Sequence, residues 1–226
     1  MILRIFGFDD ICFTTDQTIS LIIEDNKLFA KIVLCLSQYA DNASIDNEII
    51  IVDDDYKIVK GNMINLIIDP IHIPFNDKIF INKLYAKINQ DILNQQDIFE
   101  DYHKQINILN AIFINELNHY NFEFQLDNDI PIISYLKCLN VKIENNQAES
   151  IYERILKYIE LCSEILANHI IIFINVLQYF DLYQIKEIEK YIAYKKINCL
   201  FIENVSTHQN ILKKYIIDSD FCEQIY

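Results

Sequence analysis

The chain has 226 residues, of which 52% are hydrophobic, so it can bury the core of one large domain or of a compact domain with an appendage. Its formal net charge of −14 disfavours nucleic acid as a partner unless the lysines gather on one surface. Only Gly7 and Gly61 are glycines, which argues against a phosphate-cradling loop, because such loops need glycine for close backbone approach.

The cysteines and the N-terminus bear on the cellular compartment. None of the six cysteines forms a C-x-x-C pair and most have apolar neighbours, so we expect buried free thiols in a reducing cytoplasm. The N-terminus lacks the features of a signal peptide. The longest apolar runs are about six residues, against ~20 for a membrane helix. We therefore expect a soluble cytoplasmic protein.

The pattern in the first third of the sequence predicts several strands and one helix. Residues 18–23 are typical of a buried strand, and Asp25 is a plausible N-cap for the helix that follows. Lys27 and Lys31 lie on the polar face of that helix, opposite its apolar face. Further strands are predicted at 48–52, 56–60 and 64–68, with a turn at residues 53–55.

From about residue 76 the pattern becomes helical. Apolar residues recur at close to 3.5-residue spacing from Ile81 to Phe113, with a polar break at residues 94–96. The spacing predicts two long helices, or one broken helix, packed as a hairpin or coiled arm. We call this repeat the apolar seam. A globular core seldom needs so long a seam, so we expect it to project.

The last third alternates strands and helices. Strands are predicted at 122–126, 141–143, 170–174 and 199–202, and helices at 132–139, 150–167 and 182–194. This alternation is typical of an α/β, doubly wound parallel sheet. We therefore predict a discontinuous α/β head domain, residues 1–74 and 139–226, interrupted by an α-helical leg domain, residues 75–138.

Four segments together resemble one family. They are residues 19–33, 65–70, 132–143, and 169–175 with 199–203. In order and spacing they resemble the Csn-two (Csn2) family of type II-A CRISPR-associated proteins. The likeness spans nearly the whole chain and rests on apolar strands and their spacing, not on a catalytic motif. One departure is Asn140, where glycine is expected; asparagine tolerates the left-handed backbone best among the other residues.

The resemblance carries several expectations. It implies a P-loop-like head without a Walker motif, a helical leg, and a homotetramer that forms a ring with a basic hole around double-stranded DNA. It implies bound calcium and no enzymatic activity. The expected role is DNA-end binding in spacer acquisition during antiviral defence, alongside the CRISPR integrase proteins and the RNA-guided nuclease.

Clustered carboxylates are the best candidates for calcium ligands, because calcium takes six to eight oxygens. The predicted ligands are Glu116, Glu123, Asp127 and Asp129. The alternative is a solvated acidic turn, and Gln125 stands where the family resemblance implies another acid. Residues 53–55 are also acidic, but they lack the ligand spacing of an EF-hand and are better interpreted as a turn in water.

Lysines are the natural ligands for DNA phosphates, because such contacts need a mobile cation and no base-reading fork. The candidates are Lys27, Lys31, Lys137 and Lys142, which we call the four candidate lysines. The alternative for each is a merely solvated position. In a fourfold ring each lysine appears four times around the hole, so a few per subunit give a strong local field.

Two other functions remain open. A nucleotide-binding enzyme on a P-loop-like fold is disfavoured, because no G-x-x-x-x-G-K-[ST] occurs and residues 24–25 place carboxylates where phosphates would lie. No zinc-binding histidine pair or serine or cysteine nucleophile motif occurs either. A protein-binding scaffold without DNA contact fits the net acidity as well as a DNA-encircling ring does.

Overall fold

A computed structural model describes residues 1–42, 48–127, 129–144, 150–166, 169–205 and 212–226. The chain divides into two compact units, Met1–Ile73 with Asn146–Tyr226, and Pro74–Asn145. The predicted leg ended at residue 138, but residues 139–144 belong to the second unit. The Asn76 side chain and the Tyr85 hydroxyl hold Ile143 and Val141 in that unit by hydrogen bonds.

The first unit is mixed α/β. Its strands are β1 (Ile2–Ile5), β2 (Ile11–Cys12), β3 (Ile19–Ile23), β4 (Ile49–Val52), β5 (Ile64–Ile67), β6 (Ile170–Ile174), β7 (Asn198–Glu203), β8 (Lys213–Ile217) and β9 (Glu223–Ile225). Its α-helices are α1 (Asn26–Ala40), α5 (Ile151–Ile165) and α6 (Leu182–Lys195). The second unit contains α2 (Lys78–Leu93), α3 (Gln96–Leu117) and α4 (Ile132–Cys138).

The main sheet has the order β5-β6-β7-β3-β8-β9, parallel throughout except for the antiparallel pair of β8 and β9. Strands β3 and β6 are uninterrupted apolar or small residues and are buried along their whole length, as expected for strands covered on both faces. The predicted parallel α/β sheet is confirmed. A separate antiparallel sheet has the order β2-β1-β4.

Helices cover both faces of the main sheet. Ile32 and Leu36 of α1 pack in one core cluster with Leu200 of β7 and its same-face neighbours. Cys199 precedes Leu200 and so points to the other face. There it lies close enough to Cys162 of α5 for that thiol to contribute to raising the Cys199 pKa, although burial is the larger cause.

Several local predictions are confirmed. Asp25 caps α1, accepting a hydrogen bond from the Leu28 amide at 2.7 Å. The polar break between α2 and α3 falls at Asn94 and Gln95. Asn140 adopts the left-handed conformation, with φ of 50°, so the turn survives without glycine.

Three predicted strands are wrong. Residues 56–60 form only an isolated bridge between Val52 and Ile58 after the turn at residues 53–55. Residues 122–126 alternate in polarity but are exposed and pair with no strand in the described part of the chain. Residues 141–143 are tied instead to α2 and the segment just before it: the Asn76 side chain donates to the Ile143 carbonyl and accepts from its N–H, and the Tyr85 hydroxyl of α2 donates to the Val141 carbonyl.

The cysteines depart in part from expectation. All six are free thiols, but only Cys162 and Cys199 are buried. Cys12, Cys138 and Cys222 are exposed, because they lie at strand or helix ends beyond the core. Among the described residues no helix is both long and apolar enough to cross a bilayer.

Candidate nucleic-acid interface

Two of the four candidate lysines lie on the solvent face of α1 in the first unit. The apolar face of this helix packs into the core, so Lys27 and Lys31 are held outward on the opposite face, as predicted. Lys27 has no ion pair with any described residue. The Lys31 ammonium lies 2.7 Å from a Glu48 carboxylate oxygen in an exposed pair, so it must leave this partner to contact phosphate.

The other two candidate lysines lie in the second unit. Lys137 is exposed in the last turn of α4, where the helix dipole favours a cation. Lys142 is exposed between Val141, whose carbonyl accepts from the Tyr85 hydroxyl of α2, and Ile143, which is hydrogen-bonded to the Asn76 side chain just before α2. The backbone around Lys142 is therefore anchored, while its side chain is free of ion pairs within the described ranges.

The anchoring of residues 141–143 brings a further element into consideration. Lys83 and Lys87 are exposed on α2, on either side of Tyr85, which holds the Val141 carbonyl. Both are additional candidates for phosphate contact, on the face of α2 opposite Tyr85. Sequence reasoning missed them, although their spacing of four residues places them on one helix face.

The four predicted calcium ligands are all exposed. Glu116 lies in the last turn of α3, and Glu123, Asp127 and Asp129 lie in the irregular segment after it. A carboxylate oxygen of Asp129 is 3.6 Å from the His103 ring nitrogen Nδ1. The described residues contain no group of three or more acidic, histidine or cysteine side chains able to hold a metal. Within the described residues these four carboxylates are therefore not gathered into one group, and calcium binding by them stays a prediction.

The acidic run at residues 53–55 is a turn, as interpreted from the sequence. The Asp53 carboxylate accepts hydrogen bonds from the backbone N–H groups of Asp55 and Lys57, at 2.9 and 2.8 Å. These are the contacts by which an aspartate stabilises a tight turn. The Asp53 carboxylate is therefore engaged in hydrogen bonds within its own turn.

The carboxyl ends of β3, β6 and β7 meet at one edge of the main sheet, where open α/β sheets commonly bind ligands. The buried Glu203 carboxylate accepts hydrogen bonds from the backbone N–H groups of Val176 and Leu177, at 2.9 and 3.1 Å. The Asn204 side chain donates to the Ile23 carbonyl at 3.0 Å. Hydrogen bonds between the chain's own polar groups therefore connect the segments at this edge of the sheet.

Burial raises the pKa of Glu203 to about 7, although the two backbone N–H groups act to lower it. Because the folded pKa lies above the ordinary glutamate value of 4.5, the stability due to this group is complete below about pH 4.5 and is lost as pH rises through 7. The total change is roughly 3 kcal/mol.

Replacing Glu203 with glutamine is expected to remove this pH dependence, because the amide does not ionise. Relative to wild type, Glu203→Gln should gain roughly 3 kcal/mol in unfolding free energy between pH 4.5 and pH 8. Urea unfolding at both pH values measures this difference. Glu24→Gln, an exposed carboxylate at the same sheet edge, is the matched control and should show no such gain. If the unfolding free energies of wild type and Glu203→Gln change equally with pH, the raised pKa of Glu203 is contradicted.

Comparison with known proteins bears on this arrangement. The family model for the CRISPR-associated protein Cas_Csn2 matches residues 38–221. The chain belongs to the Csn2 family. A relative, the CRISPR-associated protein Csn2 of Streptococcus agalactiae, is 21% identical over 201 residues, which cover 89% of this chain and 87% of the relative.

A solved structure shares the fold of this Csn2-family chain. The crystal structure of Stu0660 of Streptococcus thermophilus matches with a TM-score of 0.61 at 16% identity, covering 100% of this chain and 76% of the other. The resemblance stated from the sequence is therefore confirmed at the level of the family and of a mixed α/β fold.

Proposed function

We propose that this Csn2-family chain is a non-enzymatic protein that binds the ends of double-stranded DNA as a homotetrameric ring. Its role would be spacer acquisition in type II-A CRISPR antiviral defence. One observation supports this most. Lys27, Lys137 and Lys142 are exposed and have no ion pair with any described residue, although the chain has 33 acidic against 19 basic residues.

The chemistry of these side chains favours binding without sequence preference. Lysine ammonium groups neutralise phosphates as point charges and do not form the planar forks that read base edges. Four copies around a hole would multiply each contact, while the acidic outer surface would discourage coating of DNA elsewhere.

The proposal is tested by fluorescence anisotropy with three unrelated duplexes of equal length across a salt series. Affinity should fall steeply between about 50 and 200 mM salt, since each neutralised phosphate releases counterions, and should differ little between duplexes. A strong preference for one duplex would contradict the proposal.

The first alternative is a nucleotide-binding enzyme. The DNA-binding proposal also gives the head domain a P-loop-like fold. The sheet edge argues against nucleotide binding. Asp25 caps the N-terminus of α1, and Glu203 already accepts the Val176 and Leu177 N–H groups that could otherwise hold an anion. An ATP-turnover assay distinguishes the two functions, and hydrolysis above background would favour the enzyme.

A protein-binding scaffold is the second alternative, and the second unit supplies an observation in its favour. Large apolar side chains remain exposed on α3 and in the segment after it: Ile108, Leu109, Ile112, Phe113, Tyr120, Phe122, Phe124 and Leu126. We call these residues the leg apolar face. In our proposal it is covered by another copy of the chain, and integrase proteins and the RNA-guided nuclease are further proposed partners.

Calcium remains a prediction for the assembled protein. In the described part of the chain no metal-holding group includes Glu116, Glu123, Asp127 or Asp129, so an ion bound there needs oxygens beyond this set. Chelation is expected to lower duplex affinity or to loosen the oligomer, measured by anisotropy and sedimentation before and after EGTA. Unchanged binding, oligomer and melting temperature would identify the segment as a solvated acidic turn.

A further inference from the structure

The solvent face of α6 carries lysines interleaved with tyrosines. We call the following four residues, spaced three and four apart on one helix face, the α6 strip: Tyr183, Lys186, Lys190 and Tyr194. The opposite face of α6 is buried through Ile185, Ile188 and Ile192. The strip therefore points directly away from the core.

The two tyrosines are unusually open to solvent. Tyr183 is 72% exposed and Tyr194 is 77% exposed, whereas the outer face of a surface helix normally carries charged or polar side chains. At 1.5 Å per residue the two positions are about 16 Å apart. That distance spans roughly four to five nucleotides at the ~3.4 Å rise of one DNA strand.

The strip is also positive in an acidic chain. The strip itself carries two lysines and no carboxylate, in a protein whose net charge is −14. Lys190 is 2.8 Å from Glu187 in an exposed pair, which contributes little stability and can be exchanged for a phosphate. The charge of the strip is thus complementary to a phosphate backbone.

We propose that the α6 strip binds single-stranded nucleic acid, with its lysines on phosphates and its tyrosine rings stacked on unpaired bases. A duplex hides its base faces within the helical stack, and an acidic peptide would satisfy the lysines but leave both ring faces without partners. This site lies on a different element from the four candidate lysines and takes a different ligand, so it does not depend on duplex binding.

The test is fluorescence anisotropy of a labelled 15-nucleotide oligothymidine with the full chain at low salt. The double variant Tyr183→Ala, Tyr194→Ala is expected to lose tenfold or more in affinity, since stacking contributes about 1–3 kcal/mol per base. The Phe double variant keeps the rings and should bind within about twofold of wild type. The matched control Tyr226→Ala, another exposed tyrosine, should bind like wild type.

Three results would overturn the proposal: no oligothymidine binding by wild type, full binding by the alanine double variant, or displacement of oligothymidine by equimolar polyglutamate. The alanine double variant should still bind duplex like wild type. Conversely, glutamate at the four candidate lysines should leave oligothymidine binding intact. Failure of one proposal is therefore distinguishable from failure of the other.

Discussion

Replacing the four candidate lysines with glutamate is expected to abolish duplex binding while leaving the oligomer intact. Each substitution removes a cation and adds an anion facing phosphate, and the ring repeats the change four times. We expect affinity to fall roughly a thousandfold or more at 50 mM salt. Anisotropy measures the loss, and sedimentation checks the oligomer.

The control must carry the same change in net charge at other exposed sites. Four lysines serve this purpose: Lys57, Lys60, Lys104 and Lys196. If their glutamate variant loses as much affinity, only net charge matters and the candidate interface is wrong. The Lys31 pair gives a finer test, because Glu48→Gln removes the carboxylate 2.7 Å from the Lys31 ammonium and should raise affinity by up to about fivefold.

Charged residues on the leg apolar face are expected to yield smaller assemblies that retain a folded head. Leu84 and Phe113 both lie within the apolar seam, so charged substitutions at these two positions are the test that the sequence suggests. In the structure Leu84 is half-buried on α2, whereas Phe113 is 57% exposed. Burying a carboxylate at an interface costs several kcal/mol, so Ile112→Glu with Phe113→Glu should weaken association roughly a hundredfold or more.

Analytical ultracentrifugation measures this effect. The double variant Ile58→Glu, Ile225→Glu alters two exposed apolar residues of the first unit and is the matched control. It should sediment like wild type, and both variants should keep the wild-type melting transition of the head. An unchanged tetramer for the Ile112, Phe113 variant would show that the leg apolar face is not an interface between copies.

The sequence predicted those elements whose pattern is local. Continuous apolar runs identified β3, β6 and β7, because strands buried on both faces need no alternation. Strand β8 was not predicted, because the adjacent charged residues Lys213 and Lys214 interrupt its apolar pattern. In the structure Lys214 is buried, and burial lowers the pKa of its ammonium group. Residues 122–126 alternate in polarity, but alternation shows only two unlike faces and cannot supply a partner strand.

The candidate site was predictable only in part for a similar reason. Helical spacing showed that Lys27 and Lys31 face solvent, but the Lys31–Glu48 pair joins residues far apart in sequence, and no local pattern reveals it. The apolar seam predicted the helical hairpin, but it did not predict which apolar side chains are buried and which are exposed. Phe80, Tyr85 and Ile106 are buried, whereas apolar side chains at the end of α3 are exposed. Carboxylates that are near in sequence likewise form no metal-holding group among the described residues.

The central claim is that a closed ring takes up duplex from its ends. A ring cannot engage a duplex laterally without opening, but once threaded it can slide, because phosphate contacts are equivalent along the helix. The decisive measurement compares one duplex sequence as a linear fragment, as a covalently closed circle, and as a linear fragment with bulky blocks on both ends. We expect binding to the open linear form only, with several rings on long fragments. Tight binding to the closed circle or to the doubly blocked fragment, at equal length and salt, would contradict the ring mechanism.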